Sequence, residues 1–199
     1  MTLLPYLHFT ELAVGPVDPG LVLTTTPGRL SFYWRSVFAA GSYDHEVERL
    51  LPNHPADLHD LVRRAAGLSY TARCLRELVF EAVRNAEFPA LPSRSDCLFL
   101  YCHAAAAHHQ QLDVTGRALL EVEPADGARV FRADASWLDQ TFLVPELESM
   151  ARRYWSGATA VDAKPEVLLT GEFRVVRVVE PARPGITVEG RDFVDLHRP

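Results

Sequence analysis

The sequence predicts an α+β fold, and three observations predict it. Helical periodicity is concentrated over Ala72 to Glu87 and Val144 to Trp155, with shorter helical stretches at Asp44 to Leu51 and Asp57 to Ala66. Runs rich in β-branched and aromatic residues stand at the start, the middle and the end of the chain. The two kinds of segment mostly do not alternate as βαβ units, and neither GxGxxG after a strand nor GxxxxGK[ST] occurs, so neither a Rossmann nor a P-loop nucleotide site is supported.

At 199 residues the chain fits one domain, 1–199, long enough to bury a core without metal or disulfide staples. Its 48% hydrophobic and 23% charged composition is that of a globular protein. A net charge of -6 argues against non-specific binding of nucleic acid, because that grip comes from Lys and Arg neutralising phosphates; a small anion held by a few local donors stays open. Cys74, Cys97 and Cys102 are odd in number, lie in apolar stretches and form no CxxC pair, which predicts buried free thiols in a reducing compartment. The amino terminus lacks the basic and long apolar segments of a signal peptide, and no apolar run reaches the roughly 18 residues that cross a bilayer. A cytoplasmic protein without a membrane partner is expected.

In chain order, Leu3 to Leu12 reads as a strand with Tyr6, His8 and Thr10 on one face and Leu7 and Phe9 on the other. Gly15 to Gly28 carries three prolines and three glycines and reads as turns around Leu21-Val22-Leu23. Phe32, Tyr33, Trp34 and Phe38 form an aromatic cluster suited to core or groove wall. In the helix over Ala72 to Glu87, Leu75, Leu78, Val79, Ala82, Val83 and Ala86 recur at helical spacing as the face to be buried. Arg73, Arg76, Glu77, Glu81, Arg84 and Asn85 make the opposite, solvated face, and Pro89 and Pro92 end the helix. The polar loop Pro92 to Asp96 then feeds Cys97 to Cys102, a continuous apolar run expected to be a central strand. His103, His108 and His109 lack an acidic third ligand, so a metal site is not expected.

Leu119 to Val122 and Ala128 to Ala133 read as strands around the turn Pro124 to Gly127. Val144 to Trp155 reads as a helix with Pro145 at its first position and early carboxylates at Glu146 and Glu148. Val167-Leu168-Leu169 and Phe173 to Val179 read as two strands joined by Thr170-Gly171-Glu172, and Gly185 to Glu189 as a last strand. At the mouth of the first of that pair stands Glu166, a carboxylate on a rigid strand end after Pro165, beside the aromatic pair Tyr154-Trp155.

Two blocks carry a resemblance. Leu75 to Tyr101, with Arg76-Glu77, Phe80-Glu81, Val83-Arg84, Phe88-Pro89, Leu91-Pro92-Ser93-Arg94 and Cys97-Leu98-Phe99, resembles an uncharacterised bacterial family (DUF2441-like) grouped with the ADP-ribosyltransferase superfamily. Tyr154-Trp155-Ser156-Gly157 with Pro165 to Leu169 and Phe173-Arg174-Val175 is similar to the last strand pair of that superfamily. The resemblance implies a split mixed β-sheet with flanking helices and an NAD-binding cleft. It also implies three site elements: His8 on the first strand, Ser93 or Ser95 at a middle strand, and Glu166 at a late one.

The activity so implied is cleavage of the nicotinamide–ribose bond of NAD, a substrate rather than a resident cofactor, with ADP-ribose passed to water or to an unknown protein, nucleic-acid or small-molecule acceptor. An oxocarbenium-like ribose develops in that reaction, and a carboxylate facing it stabilises the transition state more than the ground state. Glu166 takes that role, His8 a bond to the adenosine ribose or the placing of the dinucleotide, Ser93 or Ser95 the support of the glutamate or of the nicotinamide side, and Arg94 the pyrophosphate. Tyr33, Tyr43 and Trp155 are candidates to stack on nicotinamide. Two departures stand out. Lys164 occupies the place two before the glutamate where arginine-modifying members carry an acid or Gln, and Ser93-Arg94-Ser95 replaces Ser-Thr-Ser. The alternatives are an inactive module of the same fold that binds a nucleotide or protein partner, and an unrelated enzyme built on His103, His108 and His109.

Overall fold

The computed structural model describes residues 6–11, 18–25, 31, 34, 37–38, 59–102, 117–138 and 144–180, with backbone only at 8–11, 59–63, 117, 144 and 180. Its elements are β1 (Tyr6–Glu11), β2 (Val22–Thr24), α1 (His59–Glu87), β3 (Leu98–Leu100), β4 (Arg117–Pro124) and β5 (Arg129–Asp134). A 3-10 turn (Ala135–Leu138), α2 (Val144–Trp155), β6 (Pro165–Thr170) and β7 (Glu172–Glu180) follow. The expected helix at Asp44 to Leu51 and strand at Gly185 to Glu189 lie outside the described residues.

Two sheets form, a four-stranded one in the order β1-β4-β7-β2 and a three-stranded one in the order β3-β6-β5. Every described pairing is antiparallel, which corrects the expected mixed sheet while keeping the α+β class. β4 to β5 and β6 to β7 are joined by tight turns. Neither is a hairpin, since each turn carries the chain from one sheet into the other, and the antiparallel pairs form between strands that those turns do not join. The two corners touch: Gly171, at φ +110, brings its backbone so close to Ala128 that a Cβ there would sit 3.1 Å from the Ala128 Cα. A further link joins the sheets at β1, where Leu7 and Tyr101 exchange backbone hydrogen bonds of 2.9 and 2.8 Å.

β6 is the strand around which the layers assemble, because it is buried on both faces after the exposed Pro165. Val167 and Leu169 point into a core shared with Tyr6, Leu120, Val122, Phe173 and Val175 of the other sheet. Leu168 points the opposite way, against Phe80, Val83, Ala151, Tyr154 and Trp155 of the two helices. Alternation along the strand puts Glu166 on that helix side. β3, expected to be central, is a three-residue edge strand, but its run is packed on both faces, with Leu98 and Leu100 in the core between the sheets and Phe99 against the helices.

α2 has the bounds its sequence predicts. It closes in a Schellman motif, with Gly157 at φ +73, the Gly157 N–H on the Tyr154 carbonyl at 3.1 Å and the Ala158 N–H on the Arg153 carbonyl at 3.0 Å. α1 is one continuous helix where a break before Ala72 was expected, and Gly67 does not interrupt it.

The face that α1 buries is shifted from the one its periodicity predicts: Val83 is buried as expected, but Leu78, Ala82 and Ala86 are exposed. Glu77 and Phe80 are 0% exposed and Glu81 is 9% exposed, whereas Leu68 and Leu78 are 68% and 54% exposed. The expected solvated acids face the sheet because partners there satisfy them.

Candidate functional site

The loop after α1 turns back along the helix and delivers Arg94 beneath it. Two steps of the helix, Glu77 and Glu81, hold that loop in place. Glu81 accepts from the Arg94 backbone N–H at 2.8 Å, from the Ser93 hydroxyl at 2.8 Å and from Arg84 Nε at 2.9 Å. Ser93 and Ser95 share a hydroxyl contact of 2.7 Å, and the Ser95 N–H donates to Ser93 Oγ at 3.0 Å. The two serines therefore shape the loop, one side chain removed from the carboxylate they were expected to support.

The Arg94 side chain is 1% exposed and lies between two carboxylates. Nε donates to Glu77 Oε2 at 2.9 Å, while Nη1 donates to Tyr154 Oη at 2.8 Å and to Glu166 Oε2. The Tyr154 hydroxyl donates in turn to Glu166 Oε2. The guanidinium also sits 5.2 Å from the Phe99 ring centre and 5.3 Å from that of Tyr154, a cation–π arrangement that favours the desolvated cation. This position fixes Glu166 rather than a pyrophosphate, so the pyrophosphate role expected of Arg94 is withdrawn.

Charge is balanced locally. Burial raises the Glu77 carboxyl pKa, but Arg94 and then Arg76 outweigh it, and the group is held below its ordinary value. Arg76 reaches Glu77 Oε1 at 2.9 Å. Burial holds the Tyr154 phenol well above its ordinary range, with Arg94 opposing the rise and Glu166 adding to it, so Tyr154 stays a neutral donor. Cys97, also buried here, has its thiol pushed well up by the same desolvation. Cys74 is half-buried and Cys102 exposed, so of the three expected buried thiols only Cys97 is one.

Glu166 is asymmetric in a way that matters chemically. Oε2 carries both hydrogen bonds, while Oε1 has no hydrogen-bond partner among the described residues. Its side chain keeps 11% of its surface exposed, and Lys164 and Pro165 beside it are exposed.

The structure thus brings Ser93, Arg94, Ser95 and Glu166 into one network and leaves Trp155 out of it. Trp155 is 1% exposed, stacks on Phe131 at 5.6 Å and donates its indole N–H to the Phe80 carbonyl at 2.8 Å, so it fills the helix–sheet core. His8 pairs with Leu120 in β1, a strand of the other sheet, and its side chain is outside the described residues. The helix side of β6, where Glu166 lies, is turned away from that sheet. Tyr33, Tyr43, His103, His108 and His109 also lie outside the described residues. The sequence pattern missed Tyr154, Glu77 and Glu81 as members. The spacing Glu77-Phe80-Glu81-Arg84 was the available signal, since steps of three and four put the acids on the face of Phe80.

Among the described residues, no group of three or more His, Cys, Asp or Glu is placed to hold a metal ion, and no helix is long and apolar enough to cross a membrane. Fold and site together define an α+β protein in which two antiparallel sheets and a helix layer enclose a carboxylate–guanidinium network. The chain belongs to the family described as protein of unknown function (DUF2441), whose model matches residues 41–181 and so includes the whole network. No curated protein matches the chain.

Proposed function

We propose that the protein cleaves the nicotinamide–ribose bond of NAD and passes ADP-ribose to an acceptor or to water. The observation that supports this reading is Glu166, a carboxylate anchored through Oε2 by Arg94 and Tyr154 with Oε1 unengaged by the described residues. As the glycosidic bond breaks, its electron pair leaves with the nicotinamide nitrogen, which becomes neutral, and C1′ of the ribose becomes oxocarbenium-like. A carboxylate already fixed at that place stabilises the cation without reorganising. The oxygen or nitrogen of the acceptor then bonds to C1′ and releases a proton.

Arg94 is shared between Glu77 and Glu166, so it orients Glu166 without cancelling its charge alone. Tyr154, kept protonated, donates and does not compete as an anion. Nicotinamide release from NAD by the purified protein tests the reading. Release above the uncatalysed rate supports it; no release together with no NAD binding refutes it.

A second reading is an inactive module of the same fold that binds a nucleotide or a protein. It draws on the exposed Leu68 and Leu78 on the outer face of α1, and on a network that already has a structural use in tying α1, α2 and β6 together. NAD binding without turnover favours it.

A further inference from the structure

α1 carries an apolar face that the core does not use. With about 100° between successive residues, Leu68, Leu75, Leu78, Val79, Ala82 and Ala86 fall within about a third of the helix circumference, on the half turned away from Glu77. Leu68, Leu78, Ala82 and Ala86 are exposed there, and Leu75 and Val79 are half-buried. Every charged residue between Arg64 and Glu87 lies on the other half, where Arg76 pairs with Glu77 and Arg84 with Glu81. Thr71, the polar residue on the outward face, turns its hydroxyl back onto the Gly67 carbonyl at 2.8 Å. The outward face is thus uncharged from end to end over about 35 Å of helix, and an exposed apolar stripe of that extent marks an interaction surface.

The ends of the stripe and the sizes of its residues say what fits it. Its amino end carries the exposed Arg64. At its carboxyl end, the negative pole of the helix dipole adds to Glu87 and Glu148, two acids that share Arg152 at 2.8 and 3.7 Å and so keep a negative charge between them. The face is therefore complementary to itself when reversed. A parallel pair of such helices sets Arg64 against Arg64, whereas an antiparallel pair sets each Arg64 beside the negative end of the other helix. With the two-fold axis at Leu75, an antiparallel pair also sets Leu68 level with Ala82 of the second copy and Leu78 level with its Ala72, so that large residues meet small ones along the seam.

We propose that the protein dimerises through this face, α1 of one copy lying antiparallel to α1 of a second with Leu75 at the two-fold axis. A seam one helix wide is at the small end of specific interfaces, so the affinity is micromolar and the dimer is reversible. The dimer uses the side of α1 opposite to Glu77 and its partner Arg94, and the proposal is independent of NAD cleavage.

Sedimentation velocity of the full chain from about 1 to 100 μM tests it, with a shift from monomer to dimer expected across that range. Leu78→Glu puts a charge on the seam at a position that is exposed in the monomer, so the variant is expected to fold as the parent does, read by circular dichroism. Each dimer carries the change twice, and a loss of about tenfold at each copy compounds to about a hundredfold weaker association. Ala82→Glu, on the same seam, is the second variant and is expected to act alike. Arg64→Glu is expected to weaken the dimer about tenfold, since it sets like charges together at both ends of the seam. A parent that stays monomeric throughout overturns the proposal and leaves the face to a different protein, as does a dimer that folded Leu78→Glu and Ala82→Glu form as tightly as the parent. Unaltered association of Arg64→Glu overturns the antiparallel arrangement.

Discussion

Replacing Arg94 by Met removes the cation between Glu77 and Glu166 while keeping an unbranched side chain beneath the helices. The native guanidinium is 2.9 Å from Glu77 and 2.8 Å from the Tyr154 hydroxyl and also binds Glu166; the three charged side chains are 1%, 0% and 11% exposed. Removing one member of such a buried set leaves uncompensated charge inside, at a cost of about 3–5 kcal/mol. A chain of this size moves its melting temperature about 2–4 °C per kcal/mol, so the expected fall is roughly 6–20 °C. Urea denaturation of Arg94→Met beside the parent reads the loss directly. Adding Glu77→Gln and Glu166→Gln to Arg94→Met should recover most of it, because the stranded charges go with their partner. A loss below about 1 kcal/mol, the range of surface ion pairs, would refute the account of a buried network.

The other predictions concern the frame around the site. Phe80→Ala should cost about 3–5 kcal/mol and Leu78→Ala about 0.5 kcal/mol in the same assay, because α1 buries the first and exposes the second; equal losses would restore the face its periodicity suggests. Stability should fall in acid. Burial raises Glu77 and Asp134, but Arg94 for the first, and the N–H groups of Ala160, Ser136 and Lys164 with the Ser136 hydroxyl for the second, hold both below their ordinary values of 4.5 and 3.8. A depressed carboxyl contributes stability above its unfolded pKa and loses it as pH falls through the folded one, so urea midpoints should drop below about pH 4. Asp134→Asn should flatten that fall, and an unchanged slope would remove Asp134 from the cause. Gly171→Ala should cost more than Gly127→Ala, since both glycines have positive φ but only the first would press a Cβ against Ala128 at 3.1 Å; equal melting temperatures would discount the close approach of the corners.

Local signals were legible and long-range ones were not. The bounds of α2, the end of α1 at Glu87 and the turn between β4 and β5 follow from Pro145, Pro89 and Gly127, each acting on its immediate neighbours. The burial of Glu77 and Glu81 on α1 follows instead from Arg94, which lies 17 residues from Glu77 and 13 from Glu81, beyond the reach of a periodicity count. Apolar spacing names the face that lacks polar groups, and it is silent on polar groups that find partners after folding. Likewise Thr170-Gly171-Glu172 reads the same whether the turn closes a hairpin or crosses between sheets, because only the distant pairings of β2 and β3 decide which. Glu166 was legible as a carboxylate on a strand end beside an aromatic pair. That Tyr154 would hold it while Trp155 turned into the core depended on the rotation of α2 over β5 and β6.

The measurement that most directly tests a catalytic Glu166 is nicotinamide release from NAD by the parent protein and Glu166→Gln, with both melting temperatures recorded. The amide keeps the shape and an acceptor oxygen for Arg94 and Tyr154 but removes the negative charge. The account predicts release by the parent and at least a hundredfold slower release by a variant that remains folded, in the range seen when a transition-state electrostatic partner is lost, about 100- to 1,000-fold. Equal release by the two proteins would contradict it.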